Sequence, residues 1–326
     1  MRLCSALPEG HVRNQGKDGE AKGGKAADGQ IRDALLFALG GFALLSTGDA
    51  LVKSMAGQWP GPAIAALRYV FGTLGLSAIL LLREGWGGFR MQRVGWQAIR
   101  GFGIALSATT FFTAVQIMPM AEATAISFTS PMVTALMAAI VLGEAMRRAT
   151  WIASLIAFAG VLIVLRPNFA VIGPASVLPL FAAFGMALLM IGNRAVLGHG
   201  TALGMQVSVA IWSTVFLILF TLAGHVSGIA MLHVGMPAWS VIGKSAAIAF
   251  TGSSAHVLIY MATSRAGAGT IAPMTYFQLL MAGFYGWLLF GEHPDATALM
   301  GAAIIVAAGL YLWRSGQMTD EPQGTD

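Results

Sequence analysis

Ala43-Leu44-Leu45-Ser46-Thr47-Gly48-Asp49 returns as Ala187-Leu188-Leu189-Met190-Ile191-Gly192-Asn193, 144 residues later. A second echo lies 148 residues apart: Leu142-Gly143-Glu144 closes one apolar stretch, and Phe290-Gly291-Glu292 closes another. The chain reads as one unit written twice. In a membrane protein, two such halves enclose a solute pathway between them.

Composition supplies the membrane. Of 326 residues, 56% are hydrophobic and 10% charged, with a mean hydropathy of +0.73; a soluble domain carries about 25% charged residues. Apolar runs of roughly 20 residues recur, each long enough to cross about 30 Å of hydrocarbon as a helix. The fold class is therefore an all-α integral membrane protein. Forty-one glycines suit helices whose backbones approach closely in lipid. Cys4 stands alone, which leaves no intrachain disulfide and no cysteine metal site. Residues 1–30 have no apolar run and read as a disordered tail; they lack the apolar region of a secretory signal.

Ten spans are expected, at 34–54, 62–82, 97–117, 121–142, 149–166, 174–193, 202–223, 243–264, 269–290 and 296–313. Short connections make consecutive spans antiparallel neighbours. With the N-terminus cytoplasmic, the inner flanks hold Arg32, Arg83, Arg90, Arg93, Arg100, Arg147, Arg148, Arg194, Arg265 and Arg314. The outer ones then hold only Lys53, Arg166 and Lys244. The positive-inside rule places both termini in the cytoplasm. Five spans per half is an odd number, so the halves, 31–168 and 169–314, lie inverted relative to each other, between the tail 1–30 and a C-terminal tail 315–326.

Ionisable groups within spans are expensive and are functional candidates. Asp49 lies near the outer end of the first span, and Arg68 lies at a similar depth in the second. The two read either as an ion pair pinning the spans or as charges that meet a solute or carry a coupling proton. Lys53, at i+4, is a competing partner for Asp49. Asn193 occupies the position equivalent to Asp49. Gln116, Glu122, Thr124, Ser127, Thr129 and Ser130 cluster around the third and fourth spans, with Ser127 and Ser130 on one helix face. Pro131 cannot donate its backbone hydrogen bond, and such a break in lipid lines a cavity or is covered by protein. His256 and Tyr260 share a face of the eighth span; His changes charge near neutral pH. The Gly143-Glu144 and Gly291-Glu292 turns read as structural. Glycine suits the left-handed residue after a helix, and a carboxylate favours the positive end of the next one.

At these residues the chain resembles the EamA-type transporters of the drug/metabolite transporter superfamily, over residues 34–314. The resemblance rests on 120–131 (MAEATAISFTSP), Leu142-Gly143-Glu144, Gly160-Val161-Leu162-Ile163, Arg166-Pro167, Phe290-Gly291-Glu292-His293-Pro294, Gly301, Ile304-Ile305 and Gly309. It implies ten helices in two inverted repeats around a central cavity. On this chain that cavity points to Ser46, Asp49, Thr109, Phe112, Gln116, Ser127, Ser130, Asn193, His256, Tyr260, Tyr276 and Gln278. Members of the family move amino acids, S-adenosylmethionine, riboflavin and other small metabolites. The stretch Asp49-Ala50-Leu51-Val52-Lys53 looks most like bacterial members, which implies the inner membrane.

The expectation is a secondary transporter working by alternating access, with proton coupling through Asp49 or His256, or exchange, left open. The alternative is an integral-membrane enzyme or a scaffold. Walker A is absent, and the six histidines have no metal spacing. No cofactor, metal or nucleic acid is called for. The partners are a small metabolite and the lipid bilayer, with a homodimer left open.

Overall fold

The computed structural model describes residues 15–142, 148–196 and 198–320. Its helices are α1 (Gln15–Lys53), α2 (Gly61–Glu84), α3 (Val94–Ile117), α4 (Met120–Ser127), α5 (Ser130–Leu142), α6 (Arg148–Ile172), α7 (Leu178–Ala195), α8 (Ala202–Val226), α9 (Trp239–Ile271), α10 (Tyr276–Phe290) and α11 (Ala296–Asp320). Nine segments among the described residues are long and apolar enough to cross a membrane, α4 and α5 together making one of them. The remaining expected span, 269–290, is divided: a 3₁₀ turn at Ala272–Thr275 precedes α10, which has 15 residues, about 22 Å of helix.

The exterior is apolar. Large side chains such as Leu82, Val171 and Phe250 face outward, while alanine dominates the buried positions. That is the inverse of a soluble core and suits helices packed in lipid.

The main helix pairings of one half recur in the other. α1 lies along α9, and its counterpart α7 lies along α3. The pair α2–α9 is matched by α8–α3, and α1–α10 by α7–α5. The pairs α2–α8 and α6–α11 map onto themselves. Thr73 and Thr214 share a 2.8 Å hydrogen bond across α2–α8.

Glycine makes the tightest crossings possible. A side chain on Gly185 would lie 2.5 Å from the Gly103 carbonyl, and one on Gly103 would lie 2.5 Å from the Gly185 carbonyl. Gly160 and Gly301 meet in the same reciprocal way across α6–α11, at 2.9 and 2.7 Å.

Both halves break their fourth crossing. In the first, Pro131 supplies no N–H, and the chain leaves the helix at Phe128-Thr129 between α4 and α5. Thr129 Oγ1 donates to the Ile126 carbonyl at 2.7 Å, reinforcing the turn. In the second, Pro273 lies in the 3₁₀ turn at Ala272–Thr275. Such backbone is tolerated at membrane depth only where protein covers it or a cavity abuts it.

Composition alone suggested a disordered tail up to residue 30, but α1 runs back to Gln15. A helix already nucleated extends at one hydrogen bond per residue fixed. The Gly143-Glu144 turn and residues 1–14 lie outside the described residues.

Candidate solute site

The broken helices and the α1–α9 and α3–α7 crossings leave a cavity of about 480 Å³ between the two halves. Asp49, Phe112, Ser127, Ser130, Asn193, His256 and Gln278 line it, as does Arg68. The wall also contains Tyr69, Thr73, Ser107, Phe111, Thr124, Phe128, Gln206 and Ser253, which sequence reading did not place there. On α9 the lining residues are Ala249, Gly252, Ser253 and His256, the 3-and-4 spacing of one helix face.

Five expected lining residues lie elsewhere. Ser46 is fully buried, and its Oγ donates to the Gln278 carbonyl at 3.4 Å. Gln116 donates to the Trp59 carbonyl at 3.1 Å, behind the wall. Thr109 is packed into the protein with its hydroxyl buried. Tyr276 sets its ring edge-on to Phe128 at 5.7 Å, behind the wall. Tyr260 is 73% exposed on the outer surface. The reason lies one residue earlier: Ile259 packs against Gly41 of α1, 2.8 Å from where a Cβ would sit. α9 meets α1 there, so Tyr260 falls past the end of the cavity stripe.

At one end of the cavity, Asp49 is buried and its Oδ2 accepts from Gln278 Nε2 at 3.1 Å. Arg68 faces the same region, its guanidinium over the rings of Tyr69 (5.4 Å) and Phe112 (5.5 Å). The two charges do not form the close ion pair that their depth suggested, whereas Lys53 pairs with Glu292. Instead Asp49 and Arg68 border a common recess of about 20 Å³, roughly the space of one water molecule.

Lys53 is not a partner of Asp49 either. Its Nζ lies 2.6 Å from Glu292 Oε1 and donates to the Val115 and Met118 carbonyls at 2.8 Å each. Glu292 Oε2 accepts the Met120 backbone N–H at 2.9 Å. The carboxylate therefore serves the start of α4 rather than the helix that follows it. Gly291 makes this reach possible: its φ of 65° caps α10 in the left-handed region and turns Glu292 back, with Glu292 N–H on the Gly286 carbonyl. The clamp joins the ends of α1, α3 and α10 to the start of α4.

At the opposite end, Arg100 is buried. Its Nε donates to Asn193 Oδ1 at 2.7 Å, and its guanidinium also meets Gln97 and the Met205 carbonyl. Sequence reading assigned Arg100 to a cytoplasmic flank. The available signal was Gln97 at i−3, a second polar residue on one face inside the span. Glu122 is buried in the first turn of α4.

Residues 33–166 match the EamA-like transporter family. The chain is 25% identical to an S-adenosylmethionine uptake transporter of Rickettsia prowazekii (strain Madrid E), over 86% of this chain and 95% of that one. Its first half therefore carries an EamA-like transporter domain. Pseudopaline exporter CntI of Pseudomonas aeruginosa (strain UCBPP-PA14) is 26% identical, over 87% of this chain and 97% of the exporter. A riboflavin transporter of Vibrio cholerae is 28% identical over 68% and 72%. A crystal structure with 20% identity covers 88% of this chain and 99% of its own, with a TM-score of 0.55; it shares the fold. The domain match, the transporter-named relatives and the apolar spans support a multi-pass small-metabolite transporter rather than an enzyme.

Proposed function

We propose that the chain is a secondary transporter of a small polar organic metabolite, working by alternating access from the bacterial inner membrane with both termini cytoplasmic. The observation that carries this reading is the 480 Å³ cavity itself. Side chains from both halves line it with hydroxyls, amides, one acid and one guanidinium, inside a bundle whose exterior is apolar. Intramembrane polar groups of this kind mark solute pathways, and inverted halves supply two equivalent arrangements of one structure.

In the proposed orientation, the Lys53–Glu292 clamp lies at the outer end, above Asp49. Toward the inner face the wall reaches Asn193, two residues before α7 ends, and Gln206, four after α8 begins. The relatives support a solute class that includes S-adenosylmethionine, a zwitterion with a heteroaromatic tail. Flux of a bacterial metabolite extract into proteoliposomes tests the reading. Uptake of at least one organic solute above protein-free liposomes, without ATP, is expected; no uptake of any solute contradicts it.

A further inference from the structure

Arg68 is the cavity's remaining problem. It faces the lumen from a half-buried position, where it contacts two ring faces and feels the Asp49 charge across the recess, but makes no close ion pair or hydrogen bond among the described residues. Ring faces attract its charge but accept none of its five planar N–H donors through oxygen. Asp49 complements it: one carboxylate oxygen is held by Gln278, and no hydrogen bond to the other is seen. Charges withdrawn from water in this way need compensation by a partner.

Resting on the transport reading above, we propose that Arg68 and Asp49 form a head-group subsite for the α-amino carboxylate of a zwitterionic solute. The solute carboxylate docks on the Arg68 guanidinium, whose planar fork matches it bidentately. The solute ammonium docks on Asp49. The shared recess between the two charges sets them close enough to be read by one compact head group. The side chain of the solute lies along Phe111 and Phe128, toward Ser130, which suits an aromatic or heteroaromatic tail. A solute with only one of the two charges leaves the other protein charge without a partner. Gly252 is part of the device: any side chain there would meet Arg68 Nη2 at 2.8 Å, so glycine lets the guanidinium lie along α9.

The test uses full-length protein in liposomes and a defined mixture at equal concentrations. It contains S-adenosylmethionine, L-phenylalanine, phenethylamine, 3-phenylpropionate, 5′-methylthioadenosine and riboflavin, with uptake read by mass spectrometry against protein-free liposomes. At least one zwitterion is expected to exceed its one-charge or headless counterparts by about tenfold or more, the scale of one lost charge-assisted hydrogen bond. Arg68→Gln should erase the preference for the carboxylated form, and Asp49→Asn the preference for the ammonium. Gly252→Val, which keeps both charges and displaces the guanidinium, should weaken the carboxylate preference. Equal uptake of zwitterions and single-charge solutes, or uptake of riboflavin alone, overturns the subsite while leaving transport standing. Uptake of none of the six also overturns it, and the extract experiment then decides the transport reading separately. The wild-type solute series requires no variant to fold.

Discussion

At one end of the cavity a lysine is held by a carboxylate and two carbonyls; at the other an arginine is held by neutral amides and a carbonyl. The two ends begin from equivalent positions, since Asp49 and Asn193 occupy the same place in the repeated phrase. The repeat supplies the same backbone twice, but the charges were placed on it separately. The Lys53 end is a charge-neutral ionic clamp across four helix termini. At the Asn193 end, the partners of Arg100 are neutral. Breaking the first orphans a charge, whereas breaking the second orphans only dipoles.

That difference predicts the largest effect at Lys53. Lys53→Met leaves Glu292 with the Met120 N–H as its described partner and should cost about 3 kcal/mol in reversible unfolding, as for other mostly buried pairs that lose one member. Adding Glu292→Leu should recover much of that loss. A single variant as stable as wild type would show that the clamp is not under load.

The crossings sharpen the comparison next. Gly185→Ala drives a methyl into the Gly103 carbonyl and Ser107 backbone, whereas Gly41→Ala mainly meets the movable Ile259 side chain. The first should cost about 2 kcal/mol and the second nearer 1 kcal/mol. Equal thermal shifts would mean that the two halves pack with the same slack. Arg100→Met should lower stability by about 1.5 kcal/mol, less than Lys53→Met, because its partners are neutral. Smallest is Thr73→Val at the α2–α8 crossing, at about 0.6 kcal/mol, the typical value of a hydrogen bond between membrane helices.

The spans and the repeat were legible because each depends on runs of many residues. Single side chains were harder. Asp49 and Asn193 were found because a repeated phrase framed them. Lys53 was matched to Asp49 because i+4 neighbours are visible in one dimension, while Glu292 lies 239 positions away and is brought back by the left-handed turn at Gly291. Arg100 was read as a flank because it falls near the start of its span; its burial depends on α7 closing over α3. Tyr260 shares a face with His256, and only the α9 crossing with α1 shows where that face leaves the cavity. Periodicity tells which residues share a side of a helix, but not how far along it the lumen extends.

The central claim is that solute passes through the chamber between the two halves. Ser130 lies on its wall beside the break in the fourth crossing, so Ser130→Trp should fill it. Uptake of the bacterial metabolite extract by proteoliposomes, compared between wild type and Ser130→Trp at matched folded protein, tests this directly. Uptake by wild type that falls at least tenfold in the variant is the expected result, as a blocked path requires; undiminished uptake in the variant contradicts the account.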